Sequence, residues 1–349
     1  MFKHLKYGTF LLLCAGMIPV LLMCMIAGIN LGAVSLRPDW ISQIIINHIA
    51  KKEIFTVEWD AFVDSIVWGM RFPKVIVAAC VGAGLSLVGI LMQAMTQNSL
   101  ADPYILGISS GASTGATAVI LLGALPVFAN ISVGMGAFVG ALVSALLVFV
   151  LAGASGRFNS TKLVLSGTAI SAMFSAVTNV LIFMSQDKQK ISSALFWMTG
   201  SFSSVEWSDV VPAIVTLAVI CALSMTMGKG LDALLLGEEM AVTVGVNVRI
   251  MKIVIVIASS LVTGVMVSMS GVIGFVGLVV PHICRTLVGT VHKRLIPFSM
   301  LLGGIFMVLA DMISRLVAAP SELPIGVVTA LLGAPFFLVL LKKSSYSFR

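Results

Sequence analysis

"PYILGISSGASTGATAVILLGALPVFANISVGMGAFVGALVSALLVFVLAGASG" occupies Pro103–Gly156 and carries no charged residue over its 54 positions. As one α-helix it would be about 80 Å long, whereas about 20 apolar residues cross roughly 30 Å of hydrocarbon. The run must therefore cross, turn and cross back. Leu125-Pro126-Val127-Phe128-Ala129-Asn130 supplies the turn. A segment of this kind belongs in a lipid bilayer.

The rest of the chain agrees. Hydrophobic residues make up 59% and charged residues 10% of the 349, against about 25% charged in a soluble domain. Further uncharged runs cover Tyr7–Leu36, Val75–Ala101, Leu163–Gln186, Val210–Gly228, Ile253–Cys284, Leu295–Ala310 and Leu323–Leu341. The run from Ile253 to Cys284 reads as two spans broken near Ser270-Gly271. The expectation is an all-α integral membrane protein, a single transmembrane domain over residues 1–349 with about ten crossings. The spans fall near 8–31, 72–96, 104–123, 131–154, 162–184, 209–228, 250–270, 273–290, 296–317 and 324–342.

An even number of crossings puts both termini on one side. With both termini cytoplasmic, the interior segments hold 13 of the 21 basic residues against 4 acidic ones. The Lys/Arg excess favours this orientation. The net charge of +7 thus reflects topology, and no nucleic-acid partner is read into it. Lys3 and Lys6 precede the first apolar run as in a signal peptide, but the run is too long and lacks a convincing small-residue cleavage site. A retained first span is expected.

Catalytic chemistry is missing from the pattern. The five cysteines and four histidines are scattered without metal-ligand spacing, so neither a metal site nor a disulfide framework is expected. No G-x-x-x-x-G-K-[ST] phosphate loop occurs, and "MGKG" at Met227–Gly230 lacks both its spacing and its hydroxyl. The chain is not expected to be an enzyme or to bind a cofactor of its own. Intramembrane charges usually mark an ion path. The main candidates are Asp311 and Arg315, one helical turn apart near the outer end of the ninth span, where they can pair.

Between the second and third spans lies a polar sextet, Asn98-Ser99-Leu100-Ala101-Asp102-Pro103. Pro103 suits a first helical turn and Asp102 can cap it. Gly107, Gly111 and Gly115 then recur every fourth residue, a small-residue face along which another helix can approach closely. Helix packing is the plainer reading, and lining of a transport path the alternative.

A larger pattern surrounds this turn. "RFPKVIVAACVGAGLSLVGILMQAMTQNSLADPYILGISSGAS" (Arg71–Ser113) is followed by "LLLGEEMAVTVGVNV" (Leu234–Val248), "GVIGFVGLVVPHICR" (Gly271–Arg285) and "LADMISRLVAAPSELPIGVVTALLGAPFFLVLL" (Leu309–Leu341). These four ordered blocks resemble the FecCD-type family of bacterial ABC importer permeases for iron–siderophores, haem and cobalamin. The likeness spans nearly the whole chain. Two positions depart from it: Ser99 stands where the family has proline, and Lys74 where it has arginine. Lysine keeps the charge but loses bidentate geometry.

The resemblance implies a transport subunit in the bacterial cell (inner/plasma) membrane. It implies a second permease subunit, identical or a close relative, two ATPase subunits that use ATP and Mg, and an extracytoplasmic binding protein. Leu235, Gly237, Glu238, Glu239, Ala241 and Gly245 correspond to the segment that couples to the ATPase, with an ordinary amphipathic loop as the alternative. Arg71, Lys74 and Arg315 fall where the family meets its binding protein, with interfacial snorkelling as the alternative. Asn159, Ser160 and Thr161 are the candidate cytoplasmic gate, and they equally suit a helix start. Ferric siderophore leads as substrate, with haem and cobalamin as alternatives. An ion-coupled secondary carrier and a passive channel are the rivals outside the class.

Overall fold

A computed structural model describes residues 7–32, 34, 36–123, 125, 131–153 and 160–343. Every regular element among them is helical. The chain begins with α1 (Tyr7–Asn30), followed by the short α2 (Pro38–Ala50) and α3 (Ala61–Asp64). A π-helical segment, Ser65–Arg71, joins α3 to α4 (Phe72–Thr96), so that Ala61–Thr96 forms one helix of 36 residues. Then come α5 (Ile108–Leu122), α6 (Val133–Gly153), α7 (Ser160–Met184), α8 (Lys188–Met198) and α9 (Trp207–Leu235). The order closes with α10 (Glu238–Thr243), α11 (Val248–Ser270), α12 (Val276–Val288), α13 (His292–Val317) and α14 (Ile325–Lys343).

Seven helices in the described residues are long and apolar enough to cross a bilayer, and three shorter apolar helices, 108–122, 276–288 and 325–339, accompany them. Local chemistry explains where several of them begin. The Asp187 carboxylate accepts from the backbone N–H groups of Gln189 and Lys190 and starts α8. Asp209 reaches back to the Glu206 N–H at 3.0 Å and starts α9. Asn247 accepts from the Ile250 N–H and starts α11. These side chains satisfy N–H groups that a helix leaves without internal partners.

The core is centred on α4, which is buried along nearly its whole length and packs against α13, α9, α11 and α12. By contrast α1, α7 and α9 are largely exposed along apolar windows, as expected of helices that face lipid or a partner subunit. Several helices meet at glycine. A β-carbon on Gly89 of α4 would overlap the backbone carbonyl of Gly277 on α12, and the Gln93 side-chain amide donates to that same carbonyl at 3.1 Å.

Three expectations need correction. No single helix runs from Pro103 through Gly115: Pro103–Leu106 is a 3₁₀ turn, and Gly107 at φ +68° breaks the chain before α5. Gly107 therefore does not share a helix face with Gly111 and Gly115. The span expected at 273–290 shortens to 276–288, because Gly271 at φ +64° and Phe275 at φ +69° hold the preceding segment out of helix. The helix that carries the span expected at 209–228 continues to Leu235, since Lys229 and Asp232 lie on a helix that outruns the apolar run. The turn expected at Leu125–Asn130 lies, beyond Leu125, outside the described residues.

Candidate functional site

Two ends of the bundle carry the charged residues. At the end that bears α2 and α8, five ionisable side chains converge from the π-helical segment, α4, α13 and the loop before α14. Lys74 donates to both carboxylate oxygens of Glu322 at 2.8 Å and stands 3.6 Å from Asp311. Arg315 pairs with Asp311 at 2.7 Å, one helical turn away. It also donates to the Leu31 carbonyl just beyond α1 at 3.0 Å. Arg71 donates to the carbonyls of Ile29, Asn30 and Val34 at 2.9, 3.1 and 2.6 Å. The two arginines thus satisfy carbonyls at and beyond the C-terminus of α1, where cations are favoured.

All three expected docking cations, Arg71, Lys74 and Arg315, are buried. Snorkelling into lipid headgroups does not describe them, because their charged heads are engaged inside the chain. They line a cavity of about 630 Å³ together with Glu322, Glu206, Phe62 and Phe202. A buried ion pair gains little net stability, but removing one partner leaves a charge whose desolvation is uncompensated.

Beside this cavity a second, of about 700 Å³, is lined by serines of α8, of α11 and of the loop leading into α9, with Trp197 and Phe196. Nearby, His48 of α2 meets Asp64 at 2.9 Å and stacks on Trp68 at 4.4 Å between ring centroids. Trp207 donates its indole N–H to the Trp68 carbonyl at 2.7 Å and so joins α9 to the π-helical segment.

The opposite end carries the segment expected to meet the ATPase. Gly237 at φ +119° ends the descent from α9, and Gly245 at φ +83° turns the chain toward α11. Few residues other than glycine adopt such φ values without strain. Between them α10 buries Ala241 and holds Glu238 against Lys252 of α11 at 2.6 Å. Leu235 is partly buried, whereas Leu236, Met240, Val242 and Val244 are exposed. The six-residue helix thus stands between two glycines with Ala241 turned inward and Glu239, Met240 and Val242 exposed.

Other contacts fix this end. The Gln97 amide donates to the Leu234 carbonyl at 3.0 Å, and His292 meets Asp232 at 2.6 Å. In the turn between α4 and α5 the Asp102 carboxylate accepts from the Tyr104 N–H at 2.8 Å, and burial pushes its pKa up to about 6. Tyr104 Oη donates to the Ile273 carbonyl at 2.9 Å and accepts from its N–H at 3.1 Å. One phenol thereby serves both backbone groups of Ile273, in the non-helical stretch before α12.

Of the candidate gate residues, Asn159 lies outside the described residues. Ser160 opens α7, and Thr161 in its first turn is exposed. Among the described residues no group of three His, Cys, Asp or Glu side chains is placed to hold a metal ion.

The FecCD transport family model matches residues 20–343. The chain belongs to this family. It is 41% identical over 277 residues to the cobalamin import system permease BtuC of Halobacterium salinarum, with 79% of this chain and 73% of that protein covered. It is 37% identical to the hemin transport system permease HmuU of Yersinia pestis, covering 83% and 88%. Identity to the Fe(3+)-citrate import system permease YfmD of Bacillus subtilis is also 37%, covering 82% and 84%. The fold matches the solved structure of an inward-facing ABC transporter of metal-chelate type with a TM-score of 0.79 and 30% identity, over 95% and 99% of the two chains. As a FecCD member the chain is a multi-pass membrane protein and the permease subunit of an ABC importer, in which the ATPase is a separate subunit.

Sequence reasoning missed Glu322 and Lys252. Each carried a faint signal: Glu322 is the acid in "SELP" eleven residues after Asp311, and Lys252 immediately precedes the uncharged run that begins at Ile253. Reading pairs across more than 200 positions, as between Lys74 and Glu322, needs the fold.

Proposed function

We propose that this permease imports a ferric siderophore by ATP-driven alternating access. It would work with a second permease subunit, two ATPase subunits that use ATP and Mg, and an extracytoplasmic binding protein. The chain crosses the membrane ten times with both termini cytoplasmic, which puts α10 inside and the Arg71–Lys74–Arg315 cluster outside. The observation that carries the reading is α10 itself. Its glycine-bounded geometry and its exposed apolar side chains, Met240 and Val242 on the helix with Leu236 and Val244 flanking it, suit docking on an ATPase.

In this scheme Leu235, Gly237, Glu238, Glu239, Ala241 and Gly245 form the coupling segment. Arg71, Lys74 and Arg315 set the field at the mouth where an acidic partner docks. The value of such charges lies in steering and register more than in affinity. Asn159, Ser160 and Thr161 form the cytoplasmic constriction. The chain contributes no catalytic residue, metal or cofactor.

An iron chelate is favoured as cargo because two similar permeases are named for hemin and Fe(3+)-citrate and the similar solved structure is of metal-chelate type. Cobalamin is the second reading, supported by the 41% identity to a cobalamin permease. The test is competition for uptake. Complexes in proteoliposomes are offered labelled ferric siderophores, haem and cobalamin together with matched binding proteins. Accumulation of a ferric siderophore alone supports the proposal, and accumulation of cobalamin or haem alone replaces it.

A further inference from the structure

Lys252 lies in the second turn of α11 and is 1% exposed. An ammonium so buried requires a counter-charge, because its lost hydration is otherwise uncompensated. Its Nζ stands 2.6 Å from Glu238 Oε1, and Glu238 is the first residue of α10. The Glu238 carboxylate thus serves twice: it sits at a helix N-terminus, where negative charge is favoured, and it neutralises a cation of the neighbouring helix.

The consequence is mechanical. The connection between α10 and α11 passes through Gly245 at φ +83°, and a β-carbon there would meet nothing within 4 Å. The link is closed by two backbone hydrogen bonds, from the Gly245 N–H to the Val242 carbonyl and from the Val246 N–H to the Ala241 carbonyl, both 2.9 Å, which hold the end of α10. The Lys252–Glu238 pair adds a tie at the other end of the helix and fastens the start of α10 directly to α11. At its far end α11 accepts the Ser201 N–H on the Ser270 carbonyl at 2.8 Å, in the loop whose Gly200 carbonyl also receives the Ile325 N–H at the start of α14. One rigid helix therefore links the α10 end to the loop that packs against α14.

We infer that Lys252 is the positioning residue that makes the coupling segment and α11 move as one body, so that closure of the ATPase reaches the opposite mouth of the permease. The inference rests on α10 being the coupling segment. Lys252 touches neither nucleotide nor cargo, and acts through Glu238.

The test uses the full transporter in proteoliposomes and reads cargo molecules taken up per ATP hydrolysed, a ratio that a purely structural role would not shift selectively. Four variants are compared: K252M, E238Q, the exchange K252E/E238K, and a flexible linker in place of Gly237–Glu239. The expected result is a fall of about tenfold in the ratio for K252M and for E238Q, the scale on which residues along a coupled network act. The exchange should recover at least about half of the ratio, since it restores the pair in reverse. Wild-type ratios in K252M or E238Q beside an inactive linker variant overturn the inference and leave the coupling segment standing. Full uptake by the linker variant overturns the coupling segment itself. If K252M fails to assemble with the ATPase, the half-exposed Glu238 decides, because E238Q tests the same pair without leaving a buried cavity.

Discussion

Gly111 on α5 and Gly140 on α6 meet backbone to backbone: a β-carbon on either would overlap the carbonyl oxygen of the other. Gly115 and Gly136 repeat the relation one turn along. In lipid no hydrophobic drive brings helices together, so packing and close approach must do so. The Ser144 hydroxyl of α6 adds a hydrogen bond to the Gly107 carbonyl at 2.8 Å.

The seam should be intolerant of bulk. Gly140→Leu is expected to lower stability by about 1–3 kcal/mol or more, the usual scale of overpacking, because the contact is backbone rather than a flexible side chain. Thermal melting of the detergent-solubilised protein checks this, and an unchanged melting temperature would mean that α6 can slide away at little cost.

Removing Asp311 alone should be worse than removing it together with Arg315. Asp311→Ala leaves Arg315 and Lys74 without a carboxylate they share, and is expected to cost about 3–5 kcal/mol. The double replacement Asp311→Leu with Arg315→Met should cost less than Asp311→Ala alone. Denaturation of the wild type and the two variants side by side gives the order, and a larger loss in the double variant than in Asp311→Ala would show that the two residues do not act as a pair.

Arg71→Gln should slow association with the binding protein, and the deficit should shrink as salt rises, because long-range steering is screened within about 8 Å at physiological ionic strength. Stopped-flow association at several salt concentrations measures it. An unaltered rate at low salt would confine Arg71 to holding the end of α1.

Thr161→Trp places a large ring at the start of α7 and should impede passage while leaving the complex intact. The expected outcome is uptake at least about tenfold slower, as for a blocked conformational gate, with normal co-purification of the ATPase. Full uptake would move the constriction elsewhere.

The class of the fold was legible because the bilayer imposes a length and an apolarity that Pro103–Gly156 and its neighbours display openly. Element ends were less so. Gly107 reads as one more small residue in a four-residue repeat, yet its φ of +68° makes it a break, and only the packing of Ser144 and Ser171 around it shows why. At the candidate sites, Gly237 to Gly245 could be read from family likeness alone. The pairing of Arg315 with Asp311 was legible as one helical turn. The burial of Arg71, Lys74 and Arg315 was not, because it depends on carbonyls at and beyond the end of α1 and, for Lys74, on carboxylates far along the chain.

The most direct test of the account is accumulation of a labelled ferric siderophore in proteoliposomes holding this permease, its ATPase and its binding protein, with and without ATP on the ATPase side. The account predicts accumulation above the external concentration only when ATP is hydrolysed. Uptake that proceeds equally without ATP, whether it follows an ion gradient or merely equilibrates, would contradict it.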